Sequence, residues 1–220
     1  MSHYPVVTID GPAGAGKSTV ARRLAQRLRY AFIPSGAIYR AIAWRVAGGL
    51  PVEKVLAGTE VGFQGPPERQ RVLVDGEDVT EALRAPQMSG LTSALSQRPE
   101  VRAFADALQR RLAAAGPVVV EGRDAGTVVF PQADCKFYLD ASLDVRAARR
   151  LADRRGRGEV HDLDTVREAL AARDLADRTR EAAPLRRTED ATYIDSSGMT
   201  IDEVIELMAK EVERVCSTSS

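Results

Sequence analysis

The chain has 220 residues, 44% of them hydrophobic and 5% aromatic, with 31 basic side chains balanced by 31 acidic ones. This length suits one domain with an embellishment, and zero formal charge argues against a general binder of nucleic acid or polyanionic surfaces, which would carry a positive excess. Cys135 and Cys216 lie far apart without metal-ligand spacing, and His3 and His161 are the only histidines, so neither a disulfide framework nor a His/Cys metal site is expected.

Residues 1–5 contain no apolar signal core and no later stretch is long enough to cross a bilayer, so a soluble, cytoplasmic protein is expected. Val6 to Asp10 reads as a short apolar strand running into a glycine-rich turn, and Val20, Leu24 and Leu28 then mark one face of a helix. Residues 31–33 form a second strand, after which Ser35 is placed to cap a helix carrying Ile38, Ile42 and Val46. Residues 60–79 break the rhythm: they are strand-like, with a type I′ turn signal at Asp75-Gly76, and read as a small antiparallel insert. Val118, Val119 and Val120 have the character of a strand buried on both faces of a parallel sheet. Residues 136–140 give the next strand, followed by an arginine-rich helix from Leu143, and residues 192–195 give the last. Thr200 with Glu203 makes a capping box for a helix whose apolar face is Ile201, Val204, Ile205, Met208, Val212 and Val215. Residues 217–220 are expected to fray, and Trp44 and the methionines read as packing residues.

Gly11-Pro12-Ala13-Gly14-Ala15-Gly16-Lys17-Ser18 fits G-x-x-x-x-G-K-[ST] between a strand and a helix. Glycines let successive backbone N–H groups converge on a β-phosphate, and the helix behind adds its positive N-terminus. Lys17 would bridge β- and γ-phosphate oxygens, and the Ser18 hydroxyl would be the protein's ligand to Mg²⁺. With Thr19 these residues make the expected ATP site. The fold expected is α/β, a P-loop NTPase three-layer fold with a parallel central sheet, a helical arginine-rich lid and a small β-rich insert.

The loop alone does not choose between a small-molecule kinase and a regulatory nucleotide switch. The chain has no asparagine, so the Asn-Lys-x-Asp segment by which Ras-type GTPases read guanine cannot exist in it. A kinase needs a second phosphate site and mobile cations that close over both substrates. Arg146, Arg149, Arg150 and Arg154 recur at helical spacing, and Arg155-Gly156-Arg157-Gly158 follows them. That pattern suits a lid over the γ-phosphate; equally, it suits a solvated face paired with Asp144 and Asp153. Helical spacing makes Arg146 and Arg150 the candidates for contact with the transferred group.

Ser35-Gly36-Ala37-Ile38-Tyr39-Arg40 follows the second strand and Glu121-Gly122-Arg123-Asp124 the third, both at the carboxyl edge of a parallel sheet. Arg173-Asp174-x-x-Asp177-x-x-Arg180 and Pro184-Leu185 come later. Segments 10–19, 35–40, 76–80, 122–131 and 173–185, in this order and spanning nearly the whole chain, resemble the bacterial cytidylate kinases, a family of nucleoside monophosphate kinases. The resemblance implies transfer of a phosphoryl group from ATP to CMP and dCMP, with the acceptor held by Ser35, Arg40, Ser93, Arg102, Arg123, Asp124, Arg173, Asp177 and Arg180. Arg40, Arg123 and Arg180 would hold the α-phosphate, Ser93, Arg102 and Asp124 would face cytosine, and Arg173 and Asp177 would reach the ribose. Lys17, Arg123 and Arg180, with Arg146 and Arg150 of the lid, would carry catalysis. It also implies one kinase unit over 1–220: a core of about 1–34, 86–142 and 160–220, an acceptor-binding region of about 35–85 and a lid of about 143–159. Small-molecule nucleotides are the expected partners of a monomer that binds no nucleic-acid polymer and no membrane. A carboxylate accepts a hydrogen bond from the cytosine amine but meets an acceptor in uracil, a buried mismatch costing about 1–3 kcal/mol. On the residues alone, each acceptor-site side chain has a duller role open to it: Arg123 could pair with Asp124, and Asp177 with Arg173 or Arg180. A kinase for another nucleoside monophosphate or a shikimate-like acceptor is the alternative. Pro34, where the family commonly has Asp or Thr, and Glu121, where it commonly has Asp, depart from the family pattern.

Overall fold

The computed structural model describes residues 4–85, 88–156, 158 and 160–218; Arg157 of the expected lid loop, His3, Ser219 and Ser220 lie outside them. Five parallel strands, β1 (Val6–Asp10), β2 (Ala31–Pro34), β6 (Val118–Glu121), β7 (Cys135–Asp140) and β8 (Thr192–Asp195), form the sheet in the order β2-β6-β1-β7-β8. The valine run of β6 explains its central place. Val118 and Val120 join the core on one face of the sheet while Val119 joins the core on the other, so every side chain of the run is buried.

One layer is α1 (Lys17–Leu28) and α8 (Ile201–Thr218), which pack Leu24, Met208 and Val212 on Ile9, Phe137 and Leu139. The other is α2 (Ser35–Ala47) and α5 (Pro99–Ala113), which pack Ile38, Ile42, Val101 and Leu108 on Val118 and Val120. The capping box forms as expected: Thr200 N–H donates to Glu203 Oε2 at 2.8 Å and Glu203 N–H to Thr200 Oγ1 at 3.2 Å. The helix it opens runs to Thr218, so Ser217 is helical and not frayed; its hydroxyl donates to the Glu213 carbonyl one turn back, at 2.7 Å. Ser35, expected as a cap, is instead the first residue of α2 behind Pro34, whose extended backbone (φ −78°, ψ 94°) closes β2. Among the described residues, no helix is long and apolar enough to cross a membrane.

The insert is a three-stranded antiparallel sheet, β3 (Val61–Gln64), β4 (Arg71–Val74) and β5 (Glu77–Asp78), and its last turn carries positive φ at both Asp75 (52°) and Gly76 (84°). Short elements surround it and the sheet edge that sequence patterning did not separate: α3 (Val52–Gly58), α4 (Met88–Leu95) and a single π-turn at Ala125–Val129. The arginine-rich helix is α6 (Leu143–Arg155), and it lies against α7 (Leu163–Thr179).

Because all five strands point the same way, the loops after β1, β2 and β6 emerge at one edge. β1 has β6 on one side and β7 on the other, so the edge opens into a crevice where the strand order reverses, as open α/β sheets do at ligand sites. Gly11 is required there. A Cβ on it would sit 2.0 Å from the Leu139 carbonyl oxygen of the neighbouring strand, at φ 147°.

Candidate active site

The turn after β1 runs straight into α1, whose N-terminus has Gly16 at its cap (φ 90°) and no capping side chain. Its first amides are therefore left to an anion. Lys17 is buried, with Nζ 2.7 Å from the Pro12 carbonyl oxygen. Burial, then the charge of Arg123, lowers its pKa to about 7. Ser18 Oγ donates to Glu121 Oε1 at 2.9 Å, so the longer carboxylate at the end of β6 reaches the loop.

Opposite this loop stands a group of arginines and carboxylates. Asp124 is 7% exposed, with Arg102 on one carboxylate oxygen and Arg180 on the other, the latter at 3.2 Å. Arg123 Nε donates to Asp177 Oδ2 at 2.8 Å. Neither pairing is the one that sequence spacing offered: Arg123 does not bond Asp124, and Asp177 reaches across to Arg123 in preference to Arg173 or Arg180 on its own side. Arg40 donates to the Leu83 carbonyl at 2.8 Å, and Arg102 also lies over the Tyr39 ring, 5.9 Å from its centroid. Arg173 sits among the charges of Arg123, Arg40 and Arg150. Ser93 on α4 and Ser35 on α2 complete the lining.

Donor loop and acceptor group line one open cleft of about 1490 Å³, larger than the roughly 300–1,000 Å³ of a one-ligand pocket. The cleft holds every residue expected at either site that lies on α2, α4, β6, the loop after it, and α7. Arg150 and Arg154 of α6 line it too, and so does Arg149, although both of its terminal nitrogens bond Ser196.

Gly11, Pro12 and Arg102, expected at these sites, are not among the residues lining the cleft, Arg102 being buried against Asp124, and neither is Arg146. It was expected as a lid cation, but its guanidinium turns away from the cleft and is 6% exposed, bonded to the Ala13 and Ala141 carbonyls and to Asp174. Helical spacing set it on a face with the other arginines; the P-loop, packed against the first turns of α6, takes it out of that set. Asp174, its partner, was missed as a separate residue because the group it serves is Ala13, far off in the chain.

Asp10 was also missed as an individual. Its carboxylate accepts from Ala125 N–H at 2.9 Å and Gly126 N–H at 2.7 Å, which ties the end of β1 to the π-turn and so aims Arg123 and Asp124. Burial raises its pKa to about 6, against the lowering effect of those two N–H groups. An aspartate closing a strand ahead of a phosphate loop was the available signal. Among the described residues, no group of three or more His, Cys, Asp or Glu is arranged to hold a metal ion. The loop nevertheless offers a hydroxyl and a carboxylate side by side in Ser18 and Glu121, the oxygen-only donor chemistry that suits Mg²⁺ arriving on nucleotide phosphates.

The family model described as cytidylate kinase matches residues 7–214. A cytidylate kinase of Syntrophotalea carbinolica is 43% identical, with 100% of this chain and 97% of the relative covered. That of Geobacter sulfurreducens is 46% identical, covering 92% and 90%. Among solved structures, a shikimate kinase from Bacteroides thetaiotaomicron superposes with a TM-score of 0.50 over 96% of this chain and 99% of its own, at 14% identity, a likeness of fold alone.

Proposed function

The chain belongs to the cytidylate kinase family, and from that membership we infer that it transfers the γ-phosphoryl group of ATP to CMP, giving ADP and CDP. The observation that supports this reading best is the joint lining of one cleft by a phosphate loop and an opposed arginine cluster.

The transfer is direct and in line, with no phosphoenzyme. The acceptor is already an anion, so the site needs no strong base; its work is positioning and charge neutralisation. The amides that open α1 cradle the donor phosphates. Lys17 exchanges its Pro12 carbonyl for the β- and γ-oxygens, which restores its full positive charge. Ser18, with Glu121 beside it, would hold Mg²⁺, which would supply neutralisation of the phosphate charge.

On the acceptor side Arg40, Arg123 and Arg180 take the α-phosphate of CMP. In the structure two of these three are held by carboxylates, Arg123 by Asp177 and Arg180 by Asp124, so the protein's own anions occupy the cations that the phosphate needs. Binding CMP exchanges them: Asp177 turns to the ribose with Arg173, and Asp124 to the cytosine amine with Arg102 and Ser93. Arg150 lies on the lid side of the cleft, where it meets the charge developing on the transferred group. The family resemblance implies dCMP as a second acceptor: its phosphate and cytosine contacts are kept, and only the ribose contacts of Arg173 and Asp177 can depend on the 2′-hydroxyl.

Asp124→Asn tests the base assignment. Asparagine in place of the carboxylate presents an amide that can face either an acceptor or a donor, so the ratio of kcat/KM for CMP over UMP should fall by about tenfold or more. An unchanged ratio would remove Asp124 from base reading.

A further inference from the structure

Ala13 has both of its backbone polar groups engaged by buried side chains. Its N–H donates to Asp174 Oδ1 at 3.3 Å and its carbonyl accepts from Arg146 Nη1 at 3.0 Å. The same Nη1 donates to Asp174 Oδ2 at 2.6 Å, and Arg146 Nε donates to the Ala141 carbonyl at 2.9 Å. These bonds close a ring through the loop, α6 and α7, in a place where both side chains are nearly excluded from water, at 6% and 11% exposure. Packing reinforces it. A Cβ on Gly14 would lie 3.3 Å from Arg146 Cβ, at a φ of 80° that a side chain resists, and Ala13, Ala147, Leu151, Val166 and Leu170 form a small apolar cluster alongside.

A buried ion pair is weak as a source of stability, since desolvation offsets the attraction. What it supplies is fixed geometry, and its place in the fold says what is being fixed. Neither Arg146 nor Asp174 lines the cleft. Asp174 lies between Arg173 and Asp177 on α7, and Asp177 bonds Arg123 on the acceptor side. One helix therefore holds the donor loop through Asp174 and the acceptor group through Asp177.

We propose that Arg146 and Asp174 are positioning residues that set the donor loop in register with the acceptor arginines, touching neither nucleotide. The proposal rests on the reading of residues 11–18 as the ATP site. The register is carried by a charged, multiply bonded link, so a neutral side chain of the same shape does not replace it.

Two variants of the full chain test this: Asp174→Asn, and the pair Arg146→Met with Asp174→Leu, which fills the volume with apolar groups. Dissociation constants for ADP and for CMP, kcat at saturating ATP and CMP, and the melting midpoint are measured for each. Asp174→Asn is expected to weaken ADP about tenfold and lower kcat while leaving CMP binding within about twofold. The apolar pair should recover the wild-type midpoint without recovering ADP affinity or kcat. Unchanged ADP affinity and kcat in either folded variant would overturn the proposal. So would parallel losses of ADP affinity, CMP affinity and midpoint, or a failure of Asp174→Asn to fold, because the pair would then be holding up the fold rather than aligning the loop. A wild-type chain that binds no ADP sinks both this inference and the ATP-site reading; wild-type binding with an unaffected Asp174→Asn sinks this inference alone.

Discussion

Lys17 is held where a charged amine is costly. Its pKa is lowered, by burial first, to about 7, and a side chain so placed is kept for what it does with an anion. Lys17→Ala should therefore cut turnover by roughly a hundredfold or more while leaving the melting midpoint unchanged or higher. Turnover at the wild-type rate would refute its role at the phosphates. Residues like Lys17 and Ser18 were legible because the chemistry demands neighbours in sequence: a loop that wraps one phosphate is built from consecutive amides. Arg102, Asp124 and Arg180 were legible only through the ordered family resemblance, and their pairings not at all, since spacing says nothing of what lies opposite. Arg146 shows the limit most clearly. Its position on α6 was read correctly, yet periodicity cannot tell a face turned to a cleft from one pressed on the P-loop. Asp174 stood inside the 173–180 motif, but nothing local gave it a role of its own, because its partner Ala13 is 161 residues away.

At the scale of elements, sequence patterning located all five strands of the main sheet and the Asp75-Gly76 signal located the hairpin; burial on both faces imposes the valine run of β6, and paired positive φ values impose the turn residues. The π-turn at Ala125–Val129 had no such mark. It depends on Asp10, which reaches across from β1 to bond two of its N–H groups, and this link carries a pH dependence. Burial raises the carboxyl from 3.8 to about 6, so between those values the folded chain holds the proton more tightly than the unfolded one. The contribution of this carboxyl to stability is fully present below pH 3.8 and is lost as pH rises through 6, by about 3 kcal/mol in all. Asp10→Asn cannot titrate, and its amide accepts the two N–H bonds less well, which adds a constant offset. Urea unfolding of both proteins from about pH 4 to pH 7 should show the wild type losing stability relative to the variant as pH rises. A gap independent of pH would mean that Asp10 does not titrate in that range.

Over the whole molecule, net charge gave no hint of a site that gathers Arg40, Arg102, Arg123, Arg173 and Arg180 at one sheet edge; the balance of 31 basic and 31 acidic groups hides a local excess. Topology accounts for the gathering. A parallel sheet sends the chain back to the same edge after every strand, and the reversal of strand order at β1 leaves a crevice in which the donor loop faces side chains from α2, α4, α7 and the turn after β6, with Arg102 of α5 bonded to Asp124 of that turn. The layer architecture was visible in the alternation of strand and helix signals. The direction in which α6 and α7 lean on the P-loop was not, since it rests on contacts between segments distant in sequence. The central claim, that this crevice joins ATP to a cytosine nucleotide, is tested most directly by ADP release from ATP and Mg²⁺ in the presence, one at a time, of CMP, dCMP, UMP, AMP, GMP and shikimate. Fast release with CMP and dCMP is predicted, with UMP slower by about tenfold or more and little release with the others. Release that ignores the acceptor, or that is fastest with one of the others, would contradict it.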